Sequence, residues 1–469
     1  MEKISRRQFI SNSALIGTAG VVGGVAGTGS LLSSCSSSDN SAQFNLLPSD
    51  IPVIIPEMGD KAIEGKPLRT GMIGCGDRGS GAAFNYLDAA DNVSIVAMAD
   101  IFPDKLERLR TRLRERRDMP VPDNKIYYGF DAYKKVCDDP EIDTVIIATP
   151  SIFHAEQVRY AIEKGKHVFC EKAAGIDPVS CRTYSAAIRQ AQAKGLCIQT
   201  GAQRHHQRGY IESYRRVREG MIGRIVGGVV KWNQGHMGFQ DRQPQWTDME
   251  YMFRDFFSWN WLCGDHVIDQ LVHNLDVFQW FSHLKPVSVV GMGSQLQRRT
   301  GDIFDNFCLD IVYEGGVRVN AQARQIDGCA NDVSETIIGT KGIWTSKNGW
   351  TIHDLDGNLL WQYDRDTEKE QYKQSDPYVL EHMDLVNHIR SGKSMTLEAE
   401  TLVISSLTGA MGRESAYTGL EIKYDEFLAS NLSLMPEELH LGNVPDFEKR
   451  FVPPKMGRLA RSQTRQRNV

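Results

Sequence analysis

Leu68-Arg69-Thr70-Gly71-Met72-Ile73-Gly74-Cys75-Gly76-Asp77-Arg78-Gly79 decides the fold of this chain. The first six residues make a short, mostly apolar strand. Three glycines follow in the order G-x-G-x-x-G, and Ser80-Gly81-Ala82-Ala83 opens a helix with small residues. Glycine at these places allows a tight turn and lets the backbone approach a pyrophosphate lying at the helix N-terminus. The glycine spacing alone is weak evidence. A strand before it and a helix after it are the context that gives it weight.

Working outward, the next apolar strand is expected at Val93 to Ala99 and ends in Asp100. A carboxylate ~20 residues past the glycine turn can accept hydrogen bonds from both ribose hydroxyls. It would repel a 2′-phosphate, and no arginine follows at once to hold one, so NAD is favoured over NADP as cofactor. Thr144 to Ala148 is an uninterrupted apolar run of the kind buried parallel strands need. It leads to Thr149-Pro150, with Ser151 and His154 opening a helix. His167 to Cys170 is a further strand that ends in Glu171-Lys172, a helix is expected from Asp177 to Ala193, and Cys197 to Thr200 is taken as the last strand of this half. Strands alternating with helices predict an α/β fold whose N-terminal half is a Rossmann domain, a doubly wound parallel sheet. Ligands of such sheets bind beyond the carboxyl ends of the strands. Gly74 to Gly79, Asp100, Thr149, Glu171 and Lys172 all fall there.

Beyond Gly201 the pattern changes. Strand-like segments bounded by glycine recur at Arg224 to Trp232, Val287 to Met292, Phe307 to Tyr313, Val317 to Ala323, Thr336 to Gly339 and Ile343 to Thr345. They predict a C-terminal α+β domain with an open, mainly antiparallel sheet covered on one face. Helices are expected after Glu381 and from Glu398 to Arg413, and a last strand from Leu420 to Tyr424. Between the first two strands lies a segment rich in aromatics and amides, with Trp232, Asn233, His236, Trp246, Tyr251, Trp259 and Trp261. Aromatic faces suit the C–H faces of sugar rings. Simple core packing accounts for such rings equally well.

Taken together, the Gly74 to Gly79 turn, Ala148-Thr149-Pro150 with His154, Val168-Phe169-Cys170-Glu171-Lys172 and the helix from Gly264 to Asp276 resemble the glucose–fructose oxidoreductase/inositol dehydrogenase/rhizopine catabolism (Gfo/Idh/MocA) family. The resemblance runs from about Lys66 to Glu426. This chain departs from the family's usual Glu-Lys-Pro with Glu171-Lys172-Ala173 but keeps the lysine. The resemblance implies cofactor contacts at Gly74, Gly76, Asp77, Arg78, Gly79, Asp100, Thr149, Pro150, His154, Glu171 and Lys172. It implies a substrate site at Lys172, Arg204, Trp232, His236, Trp261, His266, Asp269 and His273, and homo-oligomers built on the open sheet.

Asp265 is expected to cap a helix on which Asp269 and His273, four residues apart, share a face. Spacing alone fits a local Asp–His pair as well as a catalytic one. The resemblance favours catalysis by Lys172, His273 and Asp269. Oxidising a secondary alcohol needs a base for the hydroxyl proton and an acceptor for the hydride. His273 suits the first because a histidine pKa lies near working pH. Lys172 can hydrogen-bond the reacting oxygen, and Asp269 can orient substrate or imidazole. Spacing leaves open whether Lys172 or His273 is the base. A metal on His266, Asp269 or Gln270, and His273, with His236, is disfavoured because histidines seven apart lie two helical turns from each other, so no metal is expected. The expected function is a dehydrogenase acting on a sugar, glycoside or polyol. A second class is the NAD-dependent N-acetylgalactosaminidase-like glycosidases, which resemble Glu-Val-Pro where this chain has Glu171-Lys172-Ala173. A third is a sugar-binding lipoprotein with a vestigial site, which the retained Lys172, Asp269 and His273 argue against.

The remaining features concern address and boundaries. Ser5-Arg6-Arg7-Gln8-Phe9-Ile10 has the form of a twin-arginine export signal. An apolar stretch from Ala14 to Leu32 follows, and Leu32-Ser33-Ser34-Cys35 resembles a lipobox, which implies a lipid anchor on Cys35 on the periplasmic side. Because free nicotinamide dinucleotide is not expected there, the cofactor should be bound tightly and regenerated within the cycle. The expected segments are a signal peptide over 1–35, a tether over 36–65, the Rossmann domain over 66–202, the substrate domain over 203–430 and a tail over 431–469. A formal net charge of −5 gives no field for nucleic acid, and the basic runs Arg108 to Arg117 and Arg458 to Arg467 are short. The nine cysteines contain no C-x-x-C pair, which argues against a zinc ribbon or redox dithiol and leaves disulfides open. Cys75, Cys170 and Cys197 sit by apolar strands and are expected to be buried thiols.

Overall fold

The computed structural model describes residues 59–454. The export motif, Cys35 and the basic run at 458–467 lie outside the described residues. Among the described residues, two sheets carry the architecture.

The first sheet holds β1 (Leu68–Ile73), β2 (Val93–Asp100), β3 (Ile126–Tyr128), β4 (Thr144–Ile147), β5 (His167–Cys170) and β6 (Ile198–Thr200), in the order β3-β2-β1-β4-β5-β6. Every neighbouring pair is parallel. β3 went unmarked in the sequence because three residues at a sheet edge leave no periodicity to read. Strand order reverses between β1 and β4, and that switch point opens a crevice at their carboxyl ends. Gly74 and Ala148 stand there. Gly74 N–H donates to Ala99 O at 2.8 Å and Ala148 N–H donates to Ile73 O at 2.8 Å, so both turns leave the sheet in register. Asp177 starts the helix Pro178–Lys194 with a capping box, its carboxylate accepting from Ser180 N–H at 2.7 Å.

The second sheet runs β14-β13-β12-β11-β7-β10-β9-β8-β15. Its strands are β7 (Ile225–Gln234), β8 (Pro286–Ser294), β9 (Asn306–Tyr313), β10 (Arg318–Gln325), β11 (Asp332–Gly339), β12 (Gly342–Thr345), β13 (Thr351–Asp354), β14 (Leu359–Gln362) and β15 (Ile422–Lys423). The β7–β10 pair is parallel and the others are antiparallel. The helices Val272–Ser282 and Leu397–Thr418 cover one face, against β7 and β8. The opposite face stays open, with Val290 and Met292 exposed on β8. The last strand is shorter than expected: Tyr424 starts a helix through Ala429 instead of ending the strand. No helix among the described residues is long and apolar enough to cross a membrane.

The segment from Gly264 to Asp276 is not the single helix expected. It is split into His266–Asp269 and the start of Val272–Ser282. An unbroken helix would give the Asp269 carbonyl to His273 N–H. The Lys172 ammonium takes that carbonyl, and His273 N–H turns to Gln270 O at 3.2 Å. Asp265 does cap, its carboxylate accepting from His266 N–H at 2.5 Å. Among the described residues all eight cysteines are free, and Cys75, Cys170 and Cys197 are buried as their strand context implied.

Candidate active site

The floor of the crevice is backbone. Gly74 has φ +89°, and a Cβ there would stand 2.5 Å from Ala148 O. At Gly79 a Cβ would fall 1.9 Å from Gly74 O, so only glycine lets the helix Asp77–Ala89 pack on the turn. Gly76 differs: a Cβ there would meet nothing nearer than Lys105 Nζ at 3.9 Å. The ground above Gly76 is therefore open, at the N-terminus of a 13-residue helix where an anion is stabilised. Asp100 lines the same crevice. Its Oδ2 accepts from Cys75 N–H at 2.6 Å and its Oδ1 from Phe102 N–H at 2.9 Å, which fixes the carboxylate and leaves lone pairs for ribose hydroxyls. The cleft has a volume of about 540 Å³, within the usual ligand range, and Asp77, Arg78, Thr149 and Pro150 also line it. Glycine floor, open ground over Gly76 and fixed carboxylate together fit a dinucleotide.

Two expected cofactor contacts, His154 and Glu171, are not among the residues lining the cleft. His154 is fully buried, with Nδ1 at 2.8 Å from Ala173 O and Nε2 at 2.7 Å from Thr149 O. Both ring nitrogens are occupied, and the ring joins the end of β4 to the loop carrying Lys172. Glu171 is also buried and accepts from Arg78 Nε at 2.5 Å. It holds Arg78, whose guanidinium also lies 4.8 Å from the Tyr378 ring centroid, and leaves Arg78 as the member of the pair that reaches the cleft. The Lys172–Ala173 peptide beside them is cis.

The reactive cluster lies past the carboxyl end of β5, next to the strand whose Thr149 and Pro150 line the cleft. Lys172 Nζ donates to the Asp269 carbonyl and to Asp269 Oδ1, the latter at 3.1 Å. Asp269 Oδ2 accepts from Gln270 Nε2 at 2.5 Å. The Asp269 carboxylate is thus held by Lys172 and Gln270 and not by His273, contrary to the local Asp–His pair that spacing allowed. His273 stacks on Trp232 with ring centroids 5.5 Å apart and an interplanar angle of 25°. Neither nitrogen of His273 is bonded to a described residue. Burial, followed by the charges of Lys172 and Arg204, holds the His273 imidazole well below the ordinary histidine range. The direction is away from the value near working pH expected of a histidine, and it favours the neutral ring.

Arg204 lies beside this cluster, with its guanidinium 5.5 Å from the Trp232 ring centroid. What holds it was not legible in the sequence. Glu335, on β11, is fully buried and accepts from Arg204 Nη1, from Asn274 Nδ2 at 2.5 Å, from Tyr210 OH at 2.9 Å and from Ser346 Oγ at 2.6 Å. With that many donors the buried charge is compensated. Three other expected substrate contacts are not in this cluster. His266 is buried, with Nδ1 on Asp265 and on Phe304 O at 3.1 Å and Nε2 enclosed without a partner. Trp261 packs edge-on against Phe253 at 5.5 Å, in the core. His236 lies against Phe239, where its backbone N–H donates to Asp327 at 2.7 Å. Among the described residues no group of three or more His, Cys, Asp or Glu is placed to hold a metal ion. Trp246 and Phe253, from the segment read as sugar-binding, line the dinucleotide cleft instead.

Comparison with known proteins agrees with this geometry. Residues 68–201 match the model of the oxidoreductase family, NAD-binding Rossmann fold, and residues 210–345 match the GFO/IDH/MocA C-terminal domain. The chain is 24% identical over 279 residues to scyllo-inositol 2-dehydrogenase (NAD(+)) of Bacillus subtilis, covering 59% of this chain and 72% of that protein. It is 34% identical over 131 residues to glycosyl hydrolase family 109 protein 1 of Bacteroides fragilis, covering 26% of this chain and 27% of that one. The fold matches the crystal structure of myo-inositol 2-dehydrogenase from Lactobacillus plantarum with a TM-score of 0.58 at 20% identity, over 76% of this chain and 99% of that one. The two matched segments carry the glycine floor and the Lys172–His273 cluster, and the chain belongs to the GFO/IDH/MocA oxidoreductases, with NAD as its cofactor.

Proposed function

We propose that the protein oxidises a secondary hydroxyl of a sugar, glycoside or polyol, using an NAD that stays bound between turnovers. The observation that carries this is the convergence of Lys172, Asp269 and His273 beside Trp232, next to a dinucleotide cleft. Bound NAD supplies a hydride acceptor. The rest falls to the chain. Trp232 offers a flat apolar wall for one face of a sugar ring. Lys172 has three N–H donors, and two are held by Asp269. The third is left for the reacting oxygen, where the ammonium stabilises developing negative charge. Neutral His273 takes the hydroxyl proton. Arg204, clamped by Glu335, adds its charge to burial and to Lys172 in disfavouring a protonated imidazole.

The test uses the purified protein. Denaturation should release NAD, and incubation with a panel of inositols, sugars and glycosides should give reduced-nicotinamide absorbance with at least one of them. Absence of both would end this proposal. A second reading is favoured by the family 109 match: transient oxidation, elimination and return of the hydride, with net cleavage of a glycoside. It predicts free sugar without accumulated reduced cofactor.

We also place the protein outside the cytoplasm, exported by Arg6-Arg7 and tethered through lipid on Cys35. The support is the motif order in the sequence. A Cys35→Ser variant that still fractionates with membranes would refute the tether. The open face of the second sheet, with apolar Val290 and Met292 exposed, supports a homo-oligomer, and light scattering that gives a monomer mass would refute it.

A further inference from the structure

The cleft has a second wall that the glycine motif does not announce. It comes from the long connection between β7 and β8, which supplies Trp246, Phe253 and Arg254 opposite Asp100 and Phe102. Arg254 is the residue that crosses the gap. Its Nη1 and Nη2 donate to the two Asp104 oxygens at 3.3 and 3.1 Å. Its guanidinium lies 4.1 Å from the Phe102 ring centroid and 5.2 Å from that of Trp246, so it is layered between a ring of the first half and a ring of the second. Glu250 holds Nε at 2.9 Å from behind. A fork with a carboxylate at its tip and aromatics on both faces is a rigid bridge.

The wall is itself braced by the C-terminal stretch. Leu434 N–H donates to Asp177 at 2.7 Å, at the cap of a first-half helix. The same stretch then runs onto the wall. Thr247 Oγ1 donates to Leu441 O at 3.2 Å, Met249 N–H donates to Gly442 O at 3.1 Å, and Asp248 Oδ2 accepts from Val444 N–H at 2.8 Å. Phe447 and Phe451 pack on Trp259 at 5.4 and 5.9 Å. One strap therefore starts on the nucleotide-binding half and ends on the wall that faces it.

We propose that this wall is a further part of the cofactor site: Arg254 latches it across the adenosine half of the cleft, and the strap keeps it shut, so that the dinucleotide leaves slowly. The proposal rests on the cleft being the NAD site. It gives a resident cofactor a structural cause inside this one chain.

The experiment measures release of NADH from the full-length holoprotein, followed by loss of bound-NADH fluorescence on chase with excess NAD. Arg254→Ala should speed release about tenfold, the loss expected of one desolvated cation–π contact. Arg254→Lys, which keeps charge but not the planar fork, should fall between, and it keeps the test open if the alanine variant does not fold. Phe447→Ala/Phe451→Ala, at residues that do not line the cleft, should also speed release. Wild-type release rates in folded Arg254 variants would overturn the latch. Wild-type release in the strap variant alone would overturn the brace. Failure of the wild-type protein to bind NADH at all would instead remove the dinucleotide assignment, and the proposal with it.

Discussion

The two ends of the active site are built from different material. The nucleotide end is mostly backbone: glycines at 74 and 79 that admit no Cβ, a helix N-terminus and one carboxylate fixed by two amide N–H groups. The reactive end is side chains brought together from distant parts of the chain: Lys172 on Asp269, 97 residues apart, and Arg204 on Glu335, 131 apart. A backbone site is written in consecutive residues and can be read locally. A side-chain site exists only once both sheets have formed. The two ends should therefore fail differently when mutated.

The largest effects should come from the reactive end. His273→Ala should lower kcat by roughly 10²- to 10⁴-fold, the range for removal of a general base. Lys172→Met should cost roughly 10²- to 10³-fold, as for loss of a donor to a developing oxyanion. Both should retain NADH, measured by fluorescence titration. Lys172→Met should also lower Tm, because the nearly buried Asp269 carboxylate keeps only Gln270 as a side-chain donor. Loss of NADH binding in His273→Ala would show that the two ends are one energetic unit and break the contrast.

That contrast also explains what could be read from the sequence. β1 and its turn were legible because geometry there follows from glycine alone, and the Asp177 cap because a cap is local chemistry. The cluster residues were reached through resemblance, and their surroundings were not. Nothing near Arg204 in the sequence points to Glu335, whose burial depends on the pairing of β11 with β7. The segment around Asp269 has a helical pattern but folds as two helices. At the break, a lysine from the other half donates to the Asp269 carbonyl. Composition marked an aromatic segment as a ligand surface but could not say which ligand each ring faces. Trp232 went to the reactive end, Trp246 to the cofactor cleft and Trp261 to the core. His154 and Glu171 carry motif positions, yet both are buried behind the cleft lining.

Smaller effects separate two glycines of the same motif. Gly79→Ala puts a methyl 1.9 Å from the Gly74 carbonyl, so helix or turn must shift, and stability should fall by roughly 1–3 kcal/mol, read from urea denaturation of the apoprotein. Gly76→Ala meets open space in the protein, so apoprotein stability should change by under about 1 kcal/mol. Its methyl occupies ground needed by the pyrophosphate, and NADH affinity should drop. Equal losses of stability in the two variants would mean that the turn, and not the ligand, requires glycine at 76.

The subtlest expectation concerns pH. His273 is pushed down by burial, Lys172 and Arg204, so the folded state holds it neutral where the unfolded chain would bind a proton. Stability linked to this group is present above the ordinary histidine pKa of about 6.5 and is lost as pH falls below it toward the depressed folded value. Catalysis should follow the folded value: the acid limb of kcat/KM should lie well below pH about 6.5, leaving activity flat across the neutral range. Other groups border the ring. Lys172 and Arg204 are cations facing it, while Asp269 and Glu335 hold those cations from the other side. Lys172→Met removes one of the two charges that depress the imidazole, so whatever activity survives should show its acid limb moved upward. An acid limb already at the ordinary histidine value in the wild-type protein would mean that the imidazole is hydrated and exposed, and the dry, side-chain-built end of the site would lose its defining property.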